Sequence, residues 1–121
     1  MAKHILYVDD NETMLNLIKL LLEKKGYTVM IAKNVDDALR VAGKTNFSMM
    51  IIDVNIAGDS GVMLMNFMRH NHNGIPVILY SGGERDEATV EKLIALGATQ
   101  YVKKRDGSEL VTAVSQACPL S

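Results

Sequence analysis

The sequence predicts an α/β fold, a parallel sheet with helices packed on both faces. Three observations carry this. First, short apolar runs recur along the 121 residues, among them His4-Ile5-Leu6-Tyr7-Val8, Met49-Met50-Ile51-Ile52 and Pro76-Val77-Ile78-Leu79-Tyr80. Without polar alternation, each reads as a strand buried on both faces. Second, the stretches between them place apolar residues at helical spacing. A strict strand–helix alternation with short connections gives parallel strands and right-handed crossovers. Third, the runs end in polar groups: Asp9-Asp10, Asp53 and Ser81-Gly82. The carboxyl ends of parallel strands are where open α/β sheets bind their ligands.

In order, His4 to Val8 is the first strand. Asp10 or Asn11 caps a helix whose apolar face is Met14, Leu17, Ile18, Leu21 and Leu22. Lys24-Lys25-Gly26 ends it, with cations at the negative end of the helix dipole and then glycine. Tyr27 to Ala32 reads as the second strand. Asn34 and Asp37 resemble a capping box for a short helix through Arg40 that stops near Gly43. Ser48 to Asp53 is the third strand, and Val54 to Ser60 a loop carrying Gly58. Ser60 caps a Met-rich helix from Gly61 to about His70, broken by Asn71-His72-Asn73-Gly74. Ile75 to Ser81 is the fourth strand. Gly82-Gly83 turns into Glu84-Arg85-Asp86-Glu87, an exposed helix start. Val90, Leu93, Ile94 and Leu96 mark a helix ending at Gly97. Ala98 to Val102 is the fifth strand. After Lys103-Lys104-Arg105, Asp106 with Glu109 boxes the last helix, which Pro119 ends.

Composition narrows the function classes. Residues 1–121 suit one domain, and no repeat, linker or low-complexity segment interrupts them. Hydrophobic residues make up 48 %, enough to pack a core. A net charge of −1 gives no basic field, so no direct nucleic-acid partner is expected. Charges break every apolar stretch within a few residues, so no membrane insertion is expected. Met1-Ala2-Lys3-His4 shows no secretory pattern, and the single Cys118 forms no internal disulfide, so a cytoplasmic location is expected. The eight methionines are read as adaptable core filler, and His70 and His72 as solvated.

The chemistry is expected where the strands end. Asp9, Asp10 and Asp53 gathered at one sheet edge repel unless a cation intervenes. An all-carboxylate set suits a hard divalent ion such as Mg²⁺, with Mn²⁺ as the alternative, better than zinc. Lys104 follows the fifth strand and can reach the same edge. Ser81 offers a hydroxyl, and Gly82 leaves its N–H accessible. A metal ion, an ammonium, a hydroxyl and an amide around one carboxylate are what phosphoryl transfer to that carboxylate needs. Asp53 is then the nucleophile and forms an acyl phosphate.

These residues resemble a two-component response-regulator receiver domain of the chemotaxis-regulator type over nearly the whole chain. The motifs are Asp9-Asp10, Asp53 followed by Gly61 across a short loop, Ser81-Gly82, and Gly97-Ala98-Thr99-Gln100-Tyr101-Val102-Lys103-Lys104. The resemblance implies a flavodoxin-like (βα)5 fold with strand order 2-1-3-4-5. It implies that Asp53 takes phosphate from a phosphohistidine donor, a histidine kinase or histidine phosphotransfer protein. It implies direct metal ligation by Asp10, Asp53 and the Asn55 carbonyl, with Asp9 acting through water. Ser81, Gly82 and Lys104 would hold the phosphoryl group, with Lys104 preferred over Lys103 by its interval from Gly97. Tyr101 would be the switch residue, turning inward as Ser81 moves toward phosphate. Output would pass through the fourth helix, fifth strand and fifth helix to a protein effector, with a homodimer as a further partner form. No turnover of an external metabolite is implied.

Two positions depart from the family. Proline is common in the loop after the acceptor and after the lysine; here those positions hold Ala57 and Arg105. Without that proline a trans Lys104–Arg105 peptide is expected. Three rival readings exist. A phosphorylation-independent receiver-like scaffold has no excluding feature in the sequence. An aspartyl-phosphate phosphatase wants an acid where Asn55 stands. A flavin-binding module wants a Ser/Thr/Gly-rich loop where Asp9-Asp10-Asn11-Glu12 stands.

Overall fold

The structure is a computed structural model that describes residues 3–56, 58–71, 74–82 and 87–120, with the backbone alone for 58–60. The elements are β1 (His4–Val8), α1 (Glu12–Lys25), β2 (Thr28–Ala32), α2 (Val35–Ala42), β3 (Met49–Asp53), a 3-10 turn (Val54–Ile56), α3 (Gly58–Asn71), β4 (Val77–Ser81), α4 (Glu87–Ala95), β5 (Gln100–Lys103) and α5 (Ser108–Ala117). The sheet is parallel throughout, in the order β2-β1-β3-β4-β5.

Side chains alternate along each strand, so the sheet separates two cores. Leu6, Val8, Met50, Ile52 and Leu79 face α2, α3 and α4, where Ala38, Leu64, Met68 and Leu93 meet them. Ile5, Tyr7, Met49, Ile51, Ile78 and Tyr80 face the other way, against Leu15, Ile18 and Leu22 of α1 and Leu110 and Val114 of α5. Met49, Met50, Met65 and Met68 are core residues, whereas Met63 is 63 % exposed. No helix among the described residues is long and apolar enough to cross a membrane.

The α1 cap is Asn11 rather than Asp10: its side chain accepts the Met14 N–H at 3.1 Å. Asn34 likewise accepts from Asp37 at 2.8 Å, while the Asp37 side chain turns to Arg40 instead of closing the box. Tyr27 falls outside β2 because its N–H donates to Leu22 in the cap of α1. Ala98 falls outside β5 because its N–H donates to Leu93.

Two boundaries are corrected. The α3 helix begins at Gly58, so Ser60 lies in its first turn rather than capping it. The reason lies just upstream: Asp53 Oδ1 accepts the Asn55 N–H, and the chain tightens at once into the 3-10 turn. The α5 helix is capped by Gly107, without a side-chain bond. Asp106 instead takes both the N–H and the hydroxyl of Ser108, and Glu109 pairs with Arg105. The expected Asp106–Glu109 box therefore does not form. The expectations for Ala57, His72, Gly83 and Glu84-Arg85-Asp86 lie outside the described residues. No peptide bond among the described residues is cis, and Lys104–Arg105 is trans.

Candidate functional site

Sheet register assembles the site. Val8 pairs with Ile52, so Asp9 and Asp53 emerge side by side at one edge. Tyr80 pairs with Asp53, and Ser81 with Lys103, which brings the ends of β4 and β5 to the same edge. Lys104 then donates its N–H to the Ser81 carbonyl at 2.7 Å, which fixes where its side chain starts. Its stem crosses Gly82, where an added Cβ would come within 3.2–3.3 Å of Lys104 Cδ and Cβ. A side chain here would press on the Lys104 stem, which would have to give by a few tenths of an ångström.

The Lys104 ammonium lies 2.7 Å from Asp9 Oδ2 and 3.1 Å from Asp53 Oδ2. Asp9 is 0 % exposed and Asp53 2 %. Asp9 also accepts the Tyr7 hydroxyl at 2.6 Å on Oδ2 and the Asn11 N–H at 3.0 Å on Oδ1. Asp53 Oδ1 accepts the Asn55 N–H at 2.9 Å. Below, the Tyr80 ring lies 5.6 Å from the ammonium and meets the Tyr7 ring edge-on. The basic run Lys103-Lys104-Arg105 is divided: Lys104 is drawn into the acids, and Lys103 stays exposed.

The two buried acids are driven apart. Burial alone would raise Asp9, but hydrogen bonds from Lys104 and Tyr7 outweigh it and hold the carboxyl below its usual value. Burial raises Asp53; the Asn55 N–H opposes this, and the charge of Asp9 adds to the rise. Burial disfavours the charged form of Lys104, yet Asp9 and Asp53 together keep it above the ordinary lysine value. Burial, then the bond to Asp9, pushes Tyr7 far up, so its hydroxyl remains a donor. Tyr80 is pushed up to about 12 by burial and then by the charge of Asp9.

One carboxylate oxygen from each of Asp9, Asp10 and Asp53 lies within 4.8 Å of the others, with Asp10 on the exposed side. All donors in this set are hard oxygens, which fits Mg²⁺ or Mn²⁺ and not a thiolate- or imidazole-seeking ion. Asn55 follows in the 3-10 turn. Ser81 Oγ is buried and has no hydrogen-bond partner among the described residues. Tyr101 sits half-buried on β5 against the core beneath α4. His70, exposed, contacts the Asn66 carbonyl at 2.7 Å, and His4 begins β1; neither joins the acidic cluster. The residue that sequence reasoning missed is Tyr7. A signal was present, because Tyr7 and Asp9 are two apart and share one face of the strand.

Comparison with known proteins places this geometry. An uncharacterized transcriptional regulatory protein, YkoG of Bacillus subtilis, is 34 % identical over 101 residues, covering 84 % of this chain and 44 % of the relative. The chain spans between a quarter and under half the length of the curated relatives it first matches. A CheY-like response regulator receiver domain protein from Methanospirillum hungatei superposes with a TM-score of 0.85 at 24 % identity, covering 96 % of this chain and 93 % of that one. The response regulator protein TrrA from Thermotoga maritima, solved in complex with Mg(2+)-BeF, gives 0.79 at 27 % identity, covering 95 % and 98 %. The family description "response regulator receiver domain" matches residues 5–115. Fold, strand-end acids and family match agree: the chain belongs to the response regulator receiver domains, the phosphorylation switches of two-component signalling.

Proposed function

We propose that the chain is a switch in which Asp53 accepts a phosphoryl group from a phosphohistidine donor, a histidine kinase or a histidine phosphotransfer protein. One observation carries this reading. A single ammonium bridges Asp53 and Asp9 at the carboxyl edge of the sheet, beside a buried serine hydroxyl with no partner among the described residues. An Asp53 carboxylate oxygen bonds to phosphorus as the phosphorus–nitrogen bond of the donor breaks. The imidazole leaves with the electron pair and takes a proton from solvent. Lys104 passes from Asp53 to a phosphoryl oxygen, and Ser81 and the Gly82 N–H donate to the others. Asp10, Asp53 and the Asn55 carbonyl would hold Mg²⁺ or Mn²⁺, with Asp9 acting through water. When bound, the ion neutralises charge on the phosphoryl oxygens. Hydrolysis of the acyl phosphate resets the switch, and no external metabolite is turned over.

Output passes through α4, β5 and α5. Here a groove of about 520 Å³ runs between β5 and α5, lined by Tyr101, Lys103, Glu109 and Thr112 among others. Tyr101 is the switch residue, following Ser81 as that side chain moves toward phosphate. A protein effector, or a second copy of the chain, reads this face. Residues 1–121 act as one receiver domain in the cytoplasm. The TrrA complex with Mg(2+)-BeF supports the reading by relationship.

The test is intact mass after incubation with a small acyl-phosphate donor and Mg²⁺. Wild type should gain one phosphoryl group, and Asp53→Asn none. Equal gain in both would overturn Asp53 as acceptor. No gain in wild type would favour the phosphorylation-independent scaffold.

A further inference from the structure

Asp9 is the most heavily bonded side chain of the acidic cluster. Its Oδ1 takes the Asn11 N–H at 3.0 Å. Its Oδ2 takes both the Tyr7 hydroxyl at 2.6 Å and the Lys104 ammonium at 2.7 Å. A carboxylate offers about four lone-pair sites, so three donors leave about one. The side chain is fully buried, while Asp10 of the same cluster is exposed. Two of the three donors come with the fold itself: Asn11 is a backbone amide, and Lys104 is tied by its backbone to Ser81. The third is a side chain contributed from inside the α1/α5 core, where Tyr7 is locked edge-on against Tyr80 at a centroid distance of 6.3 Å.

We propose that Tyr7 is a positioning residue of this site, pinning the Asp9 carboxylate so that it acts as an outer acceptor and releases Lys104. This rests on the proposed function. The physical argument has two halves. A carboxylate held by a rigid donor keeps its remaining lone pair in one direction, where it can order a water of a hydrated divalent ion. The same donor shares the charge of Oδ2, which weakens the hold of Asp9 on the ammonium. Without the hydroxyl, Lys104 alone serves Oδ2, and the lysine is drawn toward Asp9 and away from Asp53. Removing the hydroxyl therefore harms both metal binding and phosphoryl transfer through one oxygen atom.

Tyr7→Phe keeps the ring and its packing on Tyr80, and deletes the donor alone. Mg²⁺ dissociation constants, by calorimetry or NMR titration carried to saturation, are compared for wild type, Tyr7→Phe, Asp9→Asn and the double variant. The control is Tyr27→Phe, which also removes a buried hydroxyl bond, here 2.7 Å to the Cys118 carbonyl, far from the acids. Tyr7→Phe should weaken Mg²⁺ about tenfold, the lower end for loss of a supporting hydrogen bond. It should slow phosphorylation by a small acyl phosphate to a similar extent. Tyr27→Phe should lower the melting midpoint and leave the Mg²⁺ constant within twofold. In the Asp9→Asn background the Tyr7→Phe effect should vanish, which a packing role would not produce. A Tyr7→Phe constant within twofold of wild type, or tighter than wild type, overturns the proposal. So does an undiminished effect in the Asp9→Asn background. If wild type binds Mg²⁺ and is phosphorylated while these outcomes fail, the role of Tyr7 falls and the proposed function stands. If wild type binds no Mg²⁺, both fall.

Discussion

Lys104 has a side chain 12 % exposed and stands between two buried carboxylates, so its removal strands like charges in contact. Breaking a buried pair by losing one partner costs about 3–5 kcal/mol when burial is complete, and somewhat less here. Lys104→Met should lower the melting midpoint of the metal-free protein, and saturating Mg²⁺ should raise it more in the variant than in wild type. Paired melts check this; equal rises would mean that the acids do not repel. Titration follows the same arrangement. In metal-free protein the proton goes to Asp53 first as pH falls, because burial raises Asp53 while Lys104 and Tyr7 hold Asp9 down. The signs are opposite. The contribution of Asp9 is present above its unfolded value of about 3.9 and is lost as pH falls through its folded value. Asp53 favours folding below about 3.9 and loses that contribution as pH rises through its own folded value. Carboxyl carbon NMR should resolve Asp53 titrating at the higher pH. The acids, Ser81 and Lys104 were legible because a polar group ending an apolar strand has no business in the core. Tyr7 was missed although its two-residue spacing from Asp9 was visible, because inside such a run its ring reads as filler.

Helix ends show the same division between what local chemistry decides and what packing decides. Asn11, one of the two candidates the sequence offers, and Asn34 cap α1 and α2 with their own side chains. Asn11→Ala should cost about 1 kcal/mol, read as a fall in the denaturant midpoint at unchanged slope. The start of α5 could not be read this way. Gly107 has φ +93°, and an added Cβ would stand 2.9 Å from Leu21 Cδ1 and 3.1 Å from Ile18 Cδ1 of α1. A left-handed residue with a side chain costs about 1–3 kcal/mol, and the crowding adds to it. Gly107→Ala should therefore destabilise by more than Asn11→Ala in the same assay. Local sequence favours Asp106 as the cap, but the approach of α1 to the loop decides in favour of glycine. The early start of α3 has a similar origin, since the Asx turn at Asp53 is set by the site and not by helix propensity.

Across the molecule, register ties the fourth and fifth strands: Tyr101 pairs with Leu79 and Lys103 with Ser81. In the proposed switch these two strands would shift together. Ser81→Ala should leave Asp53 open to phosphorylation and weaken its effect on Tyr101 and α4. NMR of Tyr101 with and without a phosphoryl mimic and Mg²⁺ is the readout; shift changes equal to those of wild type would refute this route. Phosphate biases the two states only by its differential affinity, so partial population of the inward state beforehand is expected. Strand order was legible from alternation and family resemblance together; the tie across the edge was not, because no local pattern joins Lys104 to Asp9. That tie also has a kinetic meaning. Lys104 follows the last strand and meets Asp53 across 51 positions of sequence, so the entropy of closing that loop is spent before the contact forms. Where the acids meet before this distant lysine arrives, divalent salt added at the start of refolding should speed the final phase by standing in for it; an unchanged final phase would show that they do not.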